Sequence, residues 1–434
     1  MLAEPNDSLR SVIDMTSRQQ NLWKTKATAL DRYRWLLLRE RHGFAGSVFR
    51  FFRDAVIDYC FGFFAKLRLA NPVDSSPCDF LLLQSAPRII GLRRKKALIS
   101  SLRERGYRLT ETALPEHWDI LAQRLLSPPP RTTPLRYYGY AAHAAWIVAH
   151  YQPRILLNDR NGSFYSPFLR LSLHQHQGIL VHLAHATTVE SSRRLGMNDY
   201  DYYFLFGPSS LASLQARKLR FGTSTAVLTG SHMIDQSYDL PPPDPTMRTV
   251  LVLGVGPDRE KEAGFQRTYA LLKEWATRTP HYQVLVKRHP RSAVPFWQDA
   301  ADSLNNVTVL PKELNLAQAL ERACCVVNIM SNAVIEAGLA GRPVLYCNLS
   351  DDRDIFDQET FFGRALRTPE EFQCRINEIE ADFPAEIEKA RHFALFHLAH
   401  GSQGLNRTCQ ALENLLSGKT LPDDIEYAEL SQTV

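Results

Sequence analysis

The 434-residue chain has no C-x-x-C pair among its seven cysteines, no uninterrupted apolar run long enough to cross a bilayer, no short-period repeat and no low-complexity tract. Each absence excludes something. Scattered cysteines inside apolar runs act as small hydrophobes, so neither a structural metal nor a disulfide framework is expected, and a reducing compartment is. The strongest membrane candidate, residues 48–70, is broken by Arg50, Arg53, Asp54, Asp58, Lys66 and Arg68, too many charges for a span. The opening Met1-Leu2-Ala3-Glu4-Pro5-Asn6-Asp7 lacks the basic start and apolar centre of a signal peptide, and a cytoplasmic protein is expected. A net charge of +5 is modest, and the basic residues match no nucleic-acid motif, so no nucleic-acid partner is expected.

What remains is an ordinary globular composition, 44% hydrophobic and 22% charged, in a chain long enough for two cores. Residues 8–70 carry apolar positions at spacings of three and four, which predicts helices. Lys24, Lys26, Arg32, Arg34, Arg39, Arg41, Arg50 and Arg53 make this segment basic. Two readings stay open for it: a solvated helical face, or a surface that meets an anionic inner membrane or an acidic acceptor.

Beyond the helices, buried-strand patterns alternate with helical stretches, the α/β signature. Strands are predicted at 80–83, 107–110, 154–159, 178–185, 202–207 and 226–230, then at 249–256, 283–287, 307–310, 325–329 and 343–346. Pro241-Pro242-Pro243-Asp244-Pro245 fits neither a helix nor a central strand and is the expected linker. The predicted organisation is an amino-terminal domain over 1–240, a second Rossmann-like domain over 248–395, and a closing helix and mobile tail over 396–434.

Polar residues collect at the carboxyl ends of these strands, the edge where open α/β sheets bind ligands. Lys287-Arg288-His289-Pro290 follows one strand; the proline holds His289 extended, where its ring can donate to a phosphate oxygen while Lys287 and Arg288 add positive field. Ser331-Asn332 follows another, with Ser331 the expected cap of the next helix and Glu336 one turn in, placed to accept from ribose hydroxyls. Gly254-Val255-Gly256-Pro257 lacks the third glycine of a dinucleotide fingerprint and reads as a donor-side loop. In the first domain Asp159 ends a strand before Arg160-Asn161-Gly162, His185 ends the next, and Asp235 precedes the linker; these three are the candidate catalytic groups. Asp199-Tyr200-Asp201 and His174-Gln175-His176 have only weak metal character, and no metal is expected.

Lys-x-His-Pro followed by Ser-x-x-x-x-Glu-Ala-x-x-x-Gly-x-Pro-Val resembles the donor half of GT-B glycosyltransferases that build bacterial surface polysaccharides, in particular the capsule and lipopolysaccharide Kdo transferases and the sialyltransferases that use CMP-sugars. The resemblance covers mainly residues 250–350, and Asn332 stands where capsule enzymes often have a second serine. It implies two Rossmann-like domains facing a central cleft, with an added amino-terminal helical segment. It also implies a CMP-sugar bound at His289, Pro290, Ser331 and Asn332, a glycan or lipid-linked glycan acceptor, no cofactor, and a peripheral place on the inner membrane. Arg160 is then a candidate partner for a sugar carboxylate. An inverting transfer with Asp159 or His185 as base and a retaining one with Asp159 or Asp235 as nucleophile both remain open. So do a CDP-polyol phosphate transferase, a UDP-sugar epimerase of similar architecture and a non-catalytic assembly subunit.

Overall fold

The computed structural model describes residues 7–70, 74–187, 193–217, 219–292 and 294–431, with side chains described from Leu22 onward. Residues 1–6, most of the stretch examined for a signal peptide, lie outside them, as does part of the 421–434 tail. The chain forms two compact units. The first runs through Leu205, takes in Leu211–Leu228 and is completed from Thr408 onward; the second comprises Phe206–Ser210 and Thr229–Arg407.

The first unit opens with α1 (Asp7–Arg41) and α2 (Phe44–Leu67). Its sheet contains β1 (Phe80–Gln84), β2 (Leu109–Ala113), β3 (Ile155–Asn158), β4 (Ile179–Leu183), β5 (Tyr202–Leu205) and β6 (Ser224–Leu228), all parallel, in the order β2-β1-β3-β4-β5-β6. Nearly every residue of β1, β3 and β4 is buried, as expected for strands covered by helices on both faces. The order reverses direction between β1 and β3, which opens a crevice at the carboxyl edge there.

The second unit repeats the plan with β7 (Thr249–Leu253), β8 (Gln283–Lys287), β9 (Val307–Val309), β10 (Cys325–Asn328) and β11 (Val344–Tyr346), parallel in the order β9-β8-β7-β10-β11. Its core brings Val250, Val252, Val284, Val286 and Val327 from the strands against Phe265, Tyr269, Leu272 and Trp275 of helix Ala263–Arg278. Here the reversal falls between β7 and β10.

Four expectations are corrected. The proline run at 241–245 does not divide the units: the boundary lies at Leu228, and buried Arg342 donates to Pro241 O at 3.0 Å, to Ala340 O and to Leu320 O, tying the run to the second unit. The chain after Thr408 is not a separate segment; Arg105 pairs with Glu413 at 2.7 Å, and Arg154 donates to Leu416 O at 2.5 Å. The supposed tail contains β12 (Tyr427–Leu430), which pairs antiparallel with β6 and ends the first sheet. Its residues are mostly exposed, so the strand leaves little hydrophobic signal. The predicted strand at 107–110 is displaced to Leu109–Ala113.

Candidate functional site

The second unit holds a cavity of about 690 Å³ at the carboxyl edge of its sheet, where the strand order reverses. The loop after β7 supplies Gly254, Gly256 and Pro257; β8 ends in Lys287 and the loop after it supplies His289 and Pro290; the segment after β10 supplies Ser331 and Asn332. Residues 75 positions apart in sequence thus share one wall. Gly254 is required by close packing, because a Cβ there would stand 2.7 Å from His289 N and 2.9 Å from Arg288 Cα. A Cβ at Gly256 would meet nothing within 4 Å, so that glycine faces open space.

His289 is fixed by its own backbone turn. Its Nδ1 accepts from Arg291 N at 3.1 Å, which in the neutral ring puts the proton on Nε2. Partial burial, then the neighbouring Arg291 charge, hold the imidazole below its usual range, with Glu260 opposing. The ring is therefore a neutral donor with Nε2–H left for a ligand.

Two expected roles change. Lys287 donates to Pro311 O at 3.2 Å, to Lys312 O at 3.3 Å and to Leu314 O, so all three ammonium protons secure the 311–314 loop. It shapes the cavity and contributes charge, without a donor to spare. Ser331 is not a helix cap: helix Ala333–Leu339 starts behind Asn332, and no side chain caps it. Instead Ser331 N donates to Asn328 Oδ1 at 3.0 Å, and Ser331 lines the cavity. With only seven residues, that helix offers a weak dipole.

Glu336 lies outside the residues lining the cavity, and burial pushes its carboxyl up to about 7, so it is a poor match for the ribose role. The cavity also gathers Arg259, Arg291, Lys312 and Asn315, which sequence reasoning missed. Arg259 opens a short 3-10 turn and the others lie on loops, none with a periodicity to read. Only the excess of basic residues near 287–291 pointed toward them.

In the first unit, Asp159 follows β3 at the other reversal point and is buried. Its Oδ2 accepts from Lys95 Nζ at 2.6 Å, while Oδ1 is buried without a partner. Lys95, delivered by the chain after β1, was also missed. Next to it, buried His182 receives Asn158 Nδ2 at Nδ1 (3.4 Å) and donates from Nε2 to Asn161 Oδ1 (2.7 Å), a single neutral tautomer. Burial, then the His185 and Lys95 charges, lower its basicity far below normal. Tyr203 donates to the same Asn161 oxygen at 3.2 Å.

His185 is exposed at the end of β4, and Arg160 is exposed beside Asp159. Asp235, expected with the first domain, falls in the second unit, where its carboxylate accepts from Ser237 N at 3.0 Å and caps a turn. Asp199 and Asp201 are held by basic side chains: Lys26 lies 2.6 Å from Asp199, Arg170 bridges both, and the His174 ring lies 2.8 Å from Asp201. Among the described residues no group of three or more His, Cys, Asp or Glu is placed to hold a metal ion.

No family model matches the chain, and no curated protein does. Solved structures do. The chain is similar to a UDP-N-acetylglucosamine 2-epimerase described as putative, from Listeria monocytogenes, at 13% identity and a TM-score of 0.52, over 80% of this chain and 99% of that one. It is similar to another UDP-N-acetylglucosamine 2-epimerase at 14% identity and a TM-score of 0.51, with the same shares covered. At such identities the likeness concerns the fold: two Rossmann-like units of the GT-B type.

Proposed function

We propose that the chain is a glycosyltransferase that moves Kdo or a related acidic sugar from a CMP-sugar to a bacterial surface glycan, in lipopolysaccharide or capsule. The observation that carries this reading is the convergence of His289, Ser331 and the 254–256 loop on one cavity at a strand-order reversal. A neutral imidazole N–H and a hydroxyl suit phosphate oxygens, and Arg291 and Lys312 supply positive field. Together they offset the charge that develops on a departing nucleotide phosphate. The motif resemblance favours CMP over other nucleotides.

In this proposal Asp159 is the reactive carboxylate of the first unit. Its ion pair with Lys95 fixes the group through Oδ2, and Oδ1, buried in the structure, has no protein partner. His185 is the alternative base, and Arg160 the partner of the sugar carboxylate. Thermal-shift titration with CMP, CDP and UDP tests the donor, since a ligand that binds the native state alone raises Tm. Stabilisation by cytidine nucleotides, lost in His289→Ala and kept in Asp159→Asn while turnover disappears, is the expected pattern. Stabilisation by UDP alone would sink it.

A second reading is a UDP-sugar epimerase, since two proteins described as such share the fold over 99% of their length. It predicts an epimerised sugar and free UDP from UDP-N-acetylglucosamine with no acceptor present.

A further inference from the structure

Helix α2 is built inside out. A helix on a soluble protein normally turns its apolar stripe inward. The inward face of α2 instead carries Ser47, Asp58, Gly62 and Ala65 with a single aromatic, Phe61. Gly62 is forced by contact, because a Cβ there would stand 1.9 Å from Leu135 O of helix Leu135–Tyr151. Asp58 is buried among Arg34 (2.5 Å), Arg136 (3.3 Å) and Tyr140 (2.9 Å), which locks the helix rotationally.

The outward face carries Phe49, Phe52, Val56, Tyr59, Phe63 and Leu67, a stripe at helical spacing in which each residue is at least 45% exposed. Phe49 reaches 71% and Phe52 69%. The stripe extends roughly 27 Å along the helix at 1.5 Å per residue. An adjoining helix, His117–Ala122, stacks His117 on Phe61 at 4.1 Å and presents Trp118 at 76% exposure. Continuous exposed apolar surface of this size marks an interaction site.

We infer that α2 lies flat in the surface of an anionic lipid bilayer, with the Phe49-to-Leu67 stripe buried among the acyl chains. Charge selects this occupant. Arg50 and Lys66 are exposed on α2, Arg39 and Arg41 precede it and Arg68 follows; Arg53 is exposed too and pairs at 2.7 Å with Asp54, the one acid of α2 that is not buried. A second copy packed on the stripe would bring two such basic sets together, whereas anionic headgroups neutralise them. Among the described residues no helix is long and apolar enough to cross a membrane, so the contact is interfacial. The inference stands on α2 alone and survives failure of the nucleotide-sugar reading.

The test is flotation of the full chain with vesicles of phosphatidylcholine, with or without about 30% phosphatidylglycerol. Binding to the anionic vesicles, weakened by salt and reduced at least about tenfold by Phe52→Ser with Phe63→Ser, is expected. Because both residues point outward, the melting temperature of the variant should match the parent. Arg50→Gln with Arg53→Gln should weaken binding to anionic vesicles and leave neutral ones unaffected. No flotation, or flotation indifferent to both double variants, overturns the inference. So does stripe-dependent dimerisation in sedimentation velocity without vesicle binding.

Discussion

Lys95 Nζ and Asp159 Oδ2 lie 2.6 Å apart at the reversal point of the first sheet, each delivered by the chain after a different strand. Both side chains are buried, so neither charge can fall back on water. Removing one partner should cost about 3–5 kcal/mol, because the other is left uncompensated. Lys95→Met and Asp159→Asn should each lower stability in urea unfolding, and Lys95→Met combined with Asp159→Leu should recover most of the loss. Equal stability of parent and single variants would show that the pair does not form.

The two glycines of the 254–256 loop should respond differently. Gly254→Ala drives a methyl into the backbone at Arg288 and His289, an overpacking that should cost about 1–3 kcal/mol and lower Tm. Gly256→Ala has room and should leave Tm unchanged without ligand. If a nucleotide lies against that loop, its thermal shift should shrink in Gly256→Ala. An undiminished shift would place the nucleotide elsewhere.

If the cavity takes a nucleotide as proposed, its affinity should depend on pH in one direction. His289 is held below its usual range, so it is neutral at about pH 7 and above and still donates from Nε2. Affinity measured by calorimetry should be level through mildly basic pH and tighten under acid conditions as the ring gains charge. His289→Gln should flatten that acid rise.

Glu336 makes an opposite contribution to stability. Burial raises its carboxyl to about 7 in the folded chain, above the ordinary glutamate value. Between those two values the folded state binds the extra proton, so stability falls as pH rises through that window, then levels off above it. The loss is at most about 3 kcal/mol. Glu336→Gln should unfold later than the parent above about pH 7.5 and converge with it near pH 4.5. A constant difference at all pH values would contradict the buried carboxyl.

The parallel strands were legible because burial on both faces writes itself as short apolar runs, as at Phe80-Leu81-Leu82-Leu83 and Val284-Leu285-Val286. The place of His289 and Ser331 at the carboxyl edge was legible for the same reason: a polar residue soon after such a run marks where a strand stops. Lys95 was not, since its role depends on a partner 64 residues away and on the reversal that brings β1 beside β3. The use of Lys287 was equally hidden, because its acceptors are backbone carbonyls that carry no sequence signature. The proline run misled for a simple reason: proline reports local rigidity, while membership of a unit depends on long-range contacts such as that of Arg342 with Pro241 O.

Strand β12 closes the first sheet after Thr229–Arg407, nearly all of the second unit, has intervened in the sequence. Order of synthesis is therefore not order of completion. On the ribosome β6 keeps an open edge until Tyr427–Leu430 emerge to pair with it. Until they emerge, that bare strand edge is the place where a nascent chain would pair with the wrong neighbour.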